Sequence, residues 1–271
     1  MIGQKTFISK IQSLGETFPP FLVIVGPRGS GKKLMTNYIA DSVLHIMKMD
    51  YDISVGSIRD MIKDCHKIKP KKLCVISDAD SMSNEAKNAM LKIIEEPPKD
   101  TYFIMTLLDS NNTLATIRSR AFILPMDIYT PEEIIQYYNS KYDGGDEDFI
   151  VDICETPGEV DLLEKFDVHE FYDYVQKVVD NIGQVSTSNA LKLADKVSLK
   201  EGSEGYDLKL FWTIFREVCL LKYQQSHYNE FFYMIGSLIT GDFQKDLYIR
   251  GVNKKMLFYS WILAIRKEWS E

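Results

Sequence analysis

Leu73-Cys74-Val75-Ile76-Ser77-Asp78-Ala79-Asp80-Ser81-Met82 is the stretch that decides how this chain is read. Four apolar residues without polar alternation mark a strand buried on both faces, an environment that a parallel sheet covered by helices on each side provides. After the acidic turn, Ser81 to Ser83 opens a helix with Glu85 in its first turn, where a carboxylate meets the positive end of the helix dipole. Ala86, Ala89, Met90, Ile93 and Ile94 follow at helical spacing, and Glu95-Glu96-Pro97-Pro98 ends the element. Tyr102 to Leu108 reads as the next buried strand and Ala121 to Leu124 as a short one after it.

Upstream, Phe21 to Val25 is another continuous apolar run, and it leads into Gly26-Pro27-Arg28-Gly29-Ser30-Gly31-Lys32-Lys33. From Leu34 the pattern turns helical through Tyr38, Ile39 and Val43. The first 20 residues carry an amphipathic helix on Phe7, Ile8, Ile11 and Leu14, with Pro19-Pro20 as its stop. Val55 to Ile68 is helical on Ile58, Met61 and Ile62, and the stretch before it is left as a variable connection. Strands that alternate with helices require crossover connections, so the expected fold is α/β with a mostly parallel sheet and helices on both faces.

After Pro125 the character changes. Residues 130 to 165 read as a small acidic helical unit with a break at Gly144-Gly145. From Val168 every apolar cluster has helical spacing, as in Phe171, Tyr174, Val175, Val178 and Val179, or Phe211, Ile214, Phe215 and Val218. The expected C-terminal domain is all-helical, entered through a Gly-rich segment at Glu201 to Gly205. Its large residues Trp212, Phe215, Phe231, Phe232, Tyr233, Phe258 and Trp261 suit a domain that oligomerises, with most of them in the domain's own core.

Composition narrows the class. At 271 residues, 45% hydrophobic and 26% charged, the chain can bury a real core and is expected to fold into two or three domains. Cys65, Cys74, Cys154 and Cys219 show no paired spacing, against both a disulfide framework and a zinc site. No leader and no long apolar run is read, so the expected location is cytoplasmic, without a membrane partner. The net charge of −7 is concentrated between Asp143 and Asp173, where twelve acidic residues face the single Lys165. That run reads as a solvated helical face, and no basic stripe claims nucleic acid directly.

The spacing Gly26-x-x-x-x-Gly31-Lys32 after a strand and before a helix is that of a phosphate-binding loop. Glycines let backbone N–H groups wrap phosphates, the lysine neutralises the outer ones, and the helix adds its positive end. Gly26, Pro27, Arg28, Gly29, Ser30, Gly31, Lys32 and Lys33 are therefore the expected nucleotide-binding residues, for ATP or ADP. Where such loops place a Ser or Thr hydroxyl on magnesium stands Lys33, which has no lone pair to give while protonated. Magnesium should be held poorly.

Ile76-Ser77-Asp78-Ala79-Asp80-Ser81-Met82, Asn88-Ala89-Met90-Leu91-Lys92-Ile93-Ile94-Glu95-Glu96-Pro97-Pro98 and Thr116-Ile117-Arg118-Ser119-Arg120 resemble the AAA+ subunits of the replication clamp loader. Within that family they look most like the delta prime branch of bacterial DNA polymerase III. Ile2-Gly3-Gln4 and the loop from Gly26 to Lys33 look similar too; the resemblance covers about residues 1 to 165 well and the remainder in character only. It implies an AAA+ P-loop core over residues 1–126, a helical lid over 127–166 and a helical collar over 167–271. It also implies partners: gamma- or tau-like ATPase subunits, a delta-like subunit, the sliding clamp, and primer-template DNA through the complex.

By the same resemblance, Ser77 stands where family ATPases hold magnesium with an Asp, and Asp78 where a Glu aligns the attacking water. The polar sensor falls on Leu107 or Leu108 with Thr106 nearby, and no arginine occupies the lid sensor position near Pro157-Gly158-Glu159. With Lys33, these departures imply that the chain does not hydrolyse ATP alone. Arg120, in Ser119-Arg120-Ala121 where the family has Ser-Arg-Cys, is implied to reach a neighbour's ATP as an arginine finger in trans. The zinc module of several relatives is absent, since Ile46 to Ile58 holds no cysteine. The competing readings are an active AAA+ ATPase of DNA replication or repair using Asp78 or Asp80 for magnesium, and a P-loop nucleotide kinase, for which no acceptor motif is visible.

Overall fold

The computed structural model describes residues 2–68, 70–142, 147–163, 168–181, 186, 188–189, 192, 197–198, 206–226, 230–239, 241, 243 and 252–270. By packing, the chain divides into one unit of residues 1–147 with 155–160 and a second of residues 148–154 with 161–271.

The first unit is built on a five-stranded sheet of β1 (Phe21–Val25), β2 (Met47–Tyr51), β3 (Lys72–Ile76), β4 (Thr101–Leu107) and β5 (Phe122–Pro125), in the order β2-β3-β4-β1-β5. Every pairing is parallel. Alternate residues of each strand feed opposite cores, as the period of two requires. Phe21, Val23, Cys74, Ile76, Phe103 and Met105 pack with α3 (Val55–Lys67) and α4 (Asn84–Glu95) through Ile58, Met61, Met90 and Ile94. Leu22, Ile24, Leu73, Val75 and Ile104 pack on the other face with α1 (Lys5–Leu14) and α2 (Lys32–Tyr38) through Phe7, Ile11 and Met35. The parallel α/β core expected from the apolar runs is the fold observed.

Two local expectations are corrected. β2 occupies the stretch read as a variable connection; its Met47, Met49 and Tyr51 alternate with Lys48 and Asp50, and as an edge strand paired only to β3 it needs no continuous apolar run. The first helix is ended by Gly15 at φ 45°, four residues before Pro19, because only glycine enters that conformation without strain.

The Ile2-Gly3-Gln4 segment ties the N-terminus to the chain leaving β5. Gln4 exchanges two hydrogen bonds with the Asp127 backbone, Nε2 to O at 2.8 Å and Oε1 from N at 2.8 Å. Asp127 Oδ2 in turn accepts from Thr6 N at 2.7 Å and Phe7 N at 3.2 Å, so the first turn of α1 is capped by a carboxylate far away in sequence. Gly3 is required here, since a Cβ would lie 2.6 Å from Tyr129 Cε1.

In the second unit, helices Val168–Asn181, Leu208–Gln225 and Lys254–Ser270 carry an aromatic core in which Trp212, Phe215, Phe258 and Trp261 are all 0% exposed. Phe215 and Trp261 meet edge to face with ring centroids 4.6 Å apart. Four of the aromatics read as suiting an oligomerising domain therefore lie inside their own unit, while Tyr233 is exposed. A two-residue parallel ladder, Val197–Ser198 with Tyr206–Asp207, is the exception to the all-helical expectation. Gly144-Gly145 and the Glu201 to Gly205 segment lie outside the described residues. No helix among the described residues is long and apolar enough to cross a membrane.

Replacing Asp127 by Ala removes two hydrogen bonds to a charged acceptor and uncaps α1, which should cost the first unit about 2 kcal/mol. Urea unfolding of Asp127→Ala against wild type measures it, and a change below about 0.5 kcal/mol, the level of an ordinary surface substitution, would show that this long-range cap contributes little.

Candidate nucleotide loop and arginine segment

The phosphate-type loop leaves the C-terminal end of β1, where Gly26 N still donates to Leu107 O at 3.1 Å and so continues the ladder with β4. Gly26 is packed against Met126, whose Cγ would lie 2.8 Å from an added Cβ. Gly29 and Gly31 stand at φ 78° and 89°, the left-handed turns that let a loop curl around an anion. Ser30 is buried, with its hydroxyl on Pro27 O at 2.8 Å and its carbonyl accepting the Tyr129 hydroxyl at 3.0 Å. Burial pushes the Tyr129 phenol above its ordinary pKa.

Lys32 opens α2 and is only 7% exposed, because its ammonium turns back into the loop and donates to Gly26 O at 2.7 Å and Pro27 O at 2.8 Å. The backbone turns and this lysine fit a phosphate group. Lys33 beside it is exposed and offers no ligand to a cation. The chain from Glu155 to Val160 lies directly on the loop. Thr156 Oγ1 donates to Arg28 O at 3.0 Å and Gly158 N to Gly29 O at 3.1 Å. An added Cβ on Gly158 would come within 2.4 Å of Gly29 Cα, so both glycines are needed for this backbone contact. At Pro157-Gly158-Glu159, where no arginine stands, Glu159 accepts from Glu155 N at 2.9 Å and Thr156 N at 3.1 Å, capping the helix Pro157–Leu163.

At the end of β3 the Asp78 backbone and the Asp80 carboxylate are bonded into the fold. Asp78 stands in the left-handed region at φ 51°, and its N–H donates to Thr106 Oγ1 at 2.9 Å. Thr106, 1% exposed, is thus an internal acceptor. Asp80 accepts from Leu108 N at 2.9 and 3.0 Å and from Asn112 Nδ2 at 2.8 Å, so both its oxygens hold the exit of β4. Lys87 on α4 donates to Asn112 O at 2.7 Å. Burial pulls the Lys87 ammonium below its ordinary pKa, and the Asp80 carboxylate works against that pull. Ser77 brings no charge and Asp80 is bonded in this way, so neither is a ready ligand for a magnesium ion, while the Asp78 carboxylate is exposed.

Arg118 and Arg120 follow. The segment is helical: Ala115–Arg118 is a short helix, α5, with Ser119 still in the helical region. Arg118 Nη1 donates to Asn111 Oδ1 at 2.6 Å. Arg120 Nη1 donates to Thr116 O at 2.6 Å and Ser119 Oγ at 3.3 Å, and its Nη2 meets Glu95 Oε1 at 2.6 Å. With 35% and 44% of the two side chains exposed, such a pair adds at most about 1 kcal/mol to folding. Arg120 shares no hydrogen bond with the phosphate-type loop of its own chain. Glu95, Tyr129, Thr156 and Asp127 are contributors that sequence reading left without a role; Glu95 stood in the quoted Glu-Glu-Pro-Pro run, but its partner lies 25 residues on, where no local spacing points to it.

Residues 27–129 match the family described as DNA polymerase III, delta subunit. Replication factor C subunit 4 of Saccharomyces cerevisiae is 23% identical over 72% of this chain and 64% of that protein. The DNA polymerase III subunit delta' of Haemophilus influenzae is 31% identical over 33% of this chain and 28% of its own length. The chain thus spans less than two thirds of the length of either relative. Among solved structures, the RuvB Holliday junction branch migration motor of Thermotoga maritima covers 84% of this chain and 96% of its own at a TM-score of 0.54 and 15% identity, a likeness of fold alone.

Asp80→Ala removes a charged acceptor from one backbone and one side-chain donor and should destabilise the first unit by about 2 kcal/mol. Urea unfolding with and without magnesium should give the same loss; a loss seen only with magnesium present would identify Asp80 as a metal ligand instead.

Proposed function

We propose, from a core that belongs to the AAA+ family of clamp-loader subunits, that this chain is a delta-prime-like subunit of the replication clamp loader. In that role it assembles with partner ATPase subunits of the gamma or tau kind and a delta-like subunit to load the sliding clamp on primer-template DNA in the cytoplasm. It offers Arg120 in trans and does little or no ATP hydrolysis of its own. The 127–166 and 167–271 segments serve as lid and collar.

The observation that carries this reading is the contrast between the two charged places in the first unit. At the loop, Lys32 is turned inward onto Gly26 and Pro27, Lys33 occupies the magnesium position, and Asp80 is committed to Leu108 and Asn112. A loop so built can cradle phosphate, so ATP or ADP remains its ligand class, while the magnesium positions hold Lys33 and the uncharged Ser77, and the water-aligning position holds Asp78, a methylene shorter than the usual Glu. Arg120, by contrast, is partly exposed and ordered by three acceptors, none of them in the loop. Its guanidinium has five N–H donors in a planar fork, which suits it to oxygens of a phosphoryl group held by another chain. Charge that develops on such a group is stabilised by a preorganised cation, and supplying it from a neighbour makes turnover depend on assembly.

The isolated chain should therefore show no magnesium-dependent ATP turnover; turnover that Lys32→Ala abolishes would favour the active-ATPase reading. In the assembled complex, with the other ATP sites disabled, Arg120→Ala should slow hydrolysis at the one site it faces by about 10³ to 10⁵, the range for fingers supplied in trans. Arg118→Ala, whose side chain is turned to Asn111, should leave that rate near wild type. Equal rates in wild-type and Arg120→Ala assemblies would reject the finger.

A further inference from the structure

Arg120 is held by acceptors of two kinds. Thr116 O and Ser119 Oγ belong to α5 and the residue after it, so they move with Arg120 and fix only its local conformation. Glu95 Oε1, 2.6 Å from Nη2, comes from a different element and is the charged acceptor among the three. It is the last residue of α4, whose Ala86, Met90, Ile93 and Ile94 are buried in the sheet's core. Pro97-Pro98 directly afterwards prevents the helix from running on, so the end of α4 is set in place. The carboxylate therefore ties the guanidinium to the rigid part of the unit.

We propose that Glu95 is the positioning residue of Arg120, orienting the guanidinium for the phosphoryl oxygens of the nucleotide on a neighbouring subunit. The inference rests on the reading of Arg120 as a finger in trans. Two effects of the carboxylate oppose one another. It offsets part of the arginine's charge, which weakens attraction for phosphate, and it fixes the direction of the remaining N–H donors, which lowers the ordering needed at the moment of reaction. Partial exposure of the pair screens the first effect strongly and leaves the second intact, since a bond angle is not screened by solvent. A reach that is wrong by about an ångström costs on the order of 100-fold in rate. Positioning wins.

The test uses the full chain assembled with its partner ATPase subunits, clamp and primed DNA, with the other ATP sites disabled in their phosphate loops. Variants are Glu95→Ala, Glu95→Gln, Arg120→Ala and Glu95→Ala/Arg120→Ala, each first shown to melt and assemble like wild type. Glu95→Ala should lower kcat by about tenfold with the KM for ATP unchanged, within the range for directly contacting pairs. Glu95→Gln, which keeps an acceptor oxygen, should fall between, and Glu95→Ala should have no further effect once Arg120 is Ala. An unchanged or raised kcat in Glu95→Ala, while Arg120→Ala is slow, overturns the positioning role and leaves the finger standing. A Glu95→Ala loss that persists in the Arg120→Ala background overturns it as well, since the carboxylate would then act through something other than Arg120. If Arg120→Ala itself turns over like wild type, the finger reading fails and this inference fails with it.

Discussion

The hydrogen bonding of β1 between β4 and β5 is the constraint on which the rest of the first unit depends. In that register Val25 faces Leu107 on one side and Pro125 on the other, and the ladder runs one residue further through Gly26 N to Leu107 O and Met126 N to Val25 O. Because every strand points the same way, the chain leaves β1, β3, β4 and β5 along one rim of the sheet, the place where open parallel sheets gather their ligand-contacting loops. The same parallel pairing forces each return through a crossover, so both faces are covered and both must be apolar. Val23→Asp, say, would bury a charge in the core that β1 shares with α3 and α4.

Along that rim, groups able to do chemistry are used for support. Asp80 ties the β4 exit, Thr106 receives the Asp78 amide, and Glu159 caps the helix beginning at Pro157. Each gives a partner to a backbone N–H that the sheet and helix ladders leave unpaired, a contribution of about 1 to 3 kcal/mol where the acceptor is charged. A carboxylate bonded to backbone N–H groups is held still, and it also has less electron density to offer a cation. The phosphate-type loop keeps its curvature through Gly29 and Gly31, and Thr156 and Gly158 bond to its Arg28 and Gly29 carbonyls.

Arg120 shows the opposite balance. Its ion pair with Glu95 is too exposed to matter much to stability, yet with Thr116 O it fixes both terminal nitrogens of the guanidinium. The end of a well-buried helix thus lends its rigidity to a side chain on the surface. A cation held in this way is preorganised, which is what electrostatic stabilisation of a developing charge requires.

The apolar runs Phe21–Val25 and Leu73–Ile76, the helical spacing from Ala86 to Ile94, and the glycines before Lys32 determined the α/β core and the place of the loop, because burial on two faces and positive φ are properties that single residues carry. β2 escaped since an edge strand shows alternation instead of a run, and the stop at Gly15 yielded to the more conspicuous prolines. Lys33 in the magnesium position could be read from the motif alone. Which acceptors Asp80, Thr106 and Glu159 satisfy, and that Glu95 holds Arg120, only the tertiary structure decided: those partners lie on separate elements, and a hydrogen bond or ion pair depends on where two side chains meet in space, which sheet order and helix packing set and no local spacing encodes.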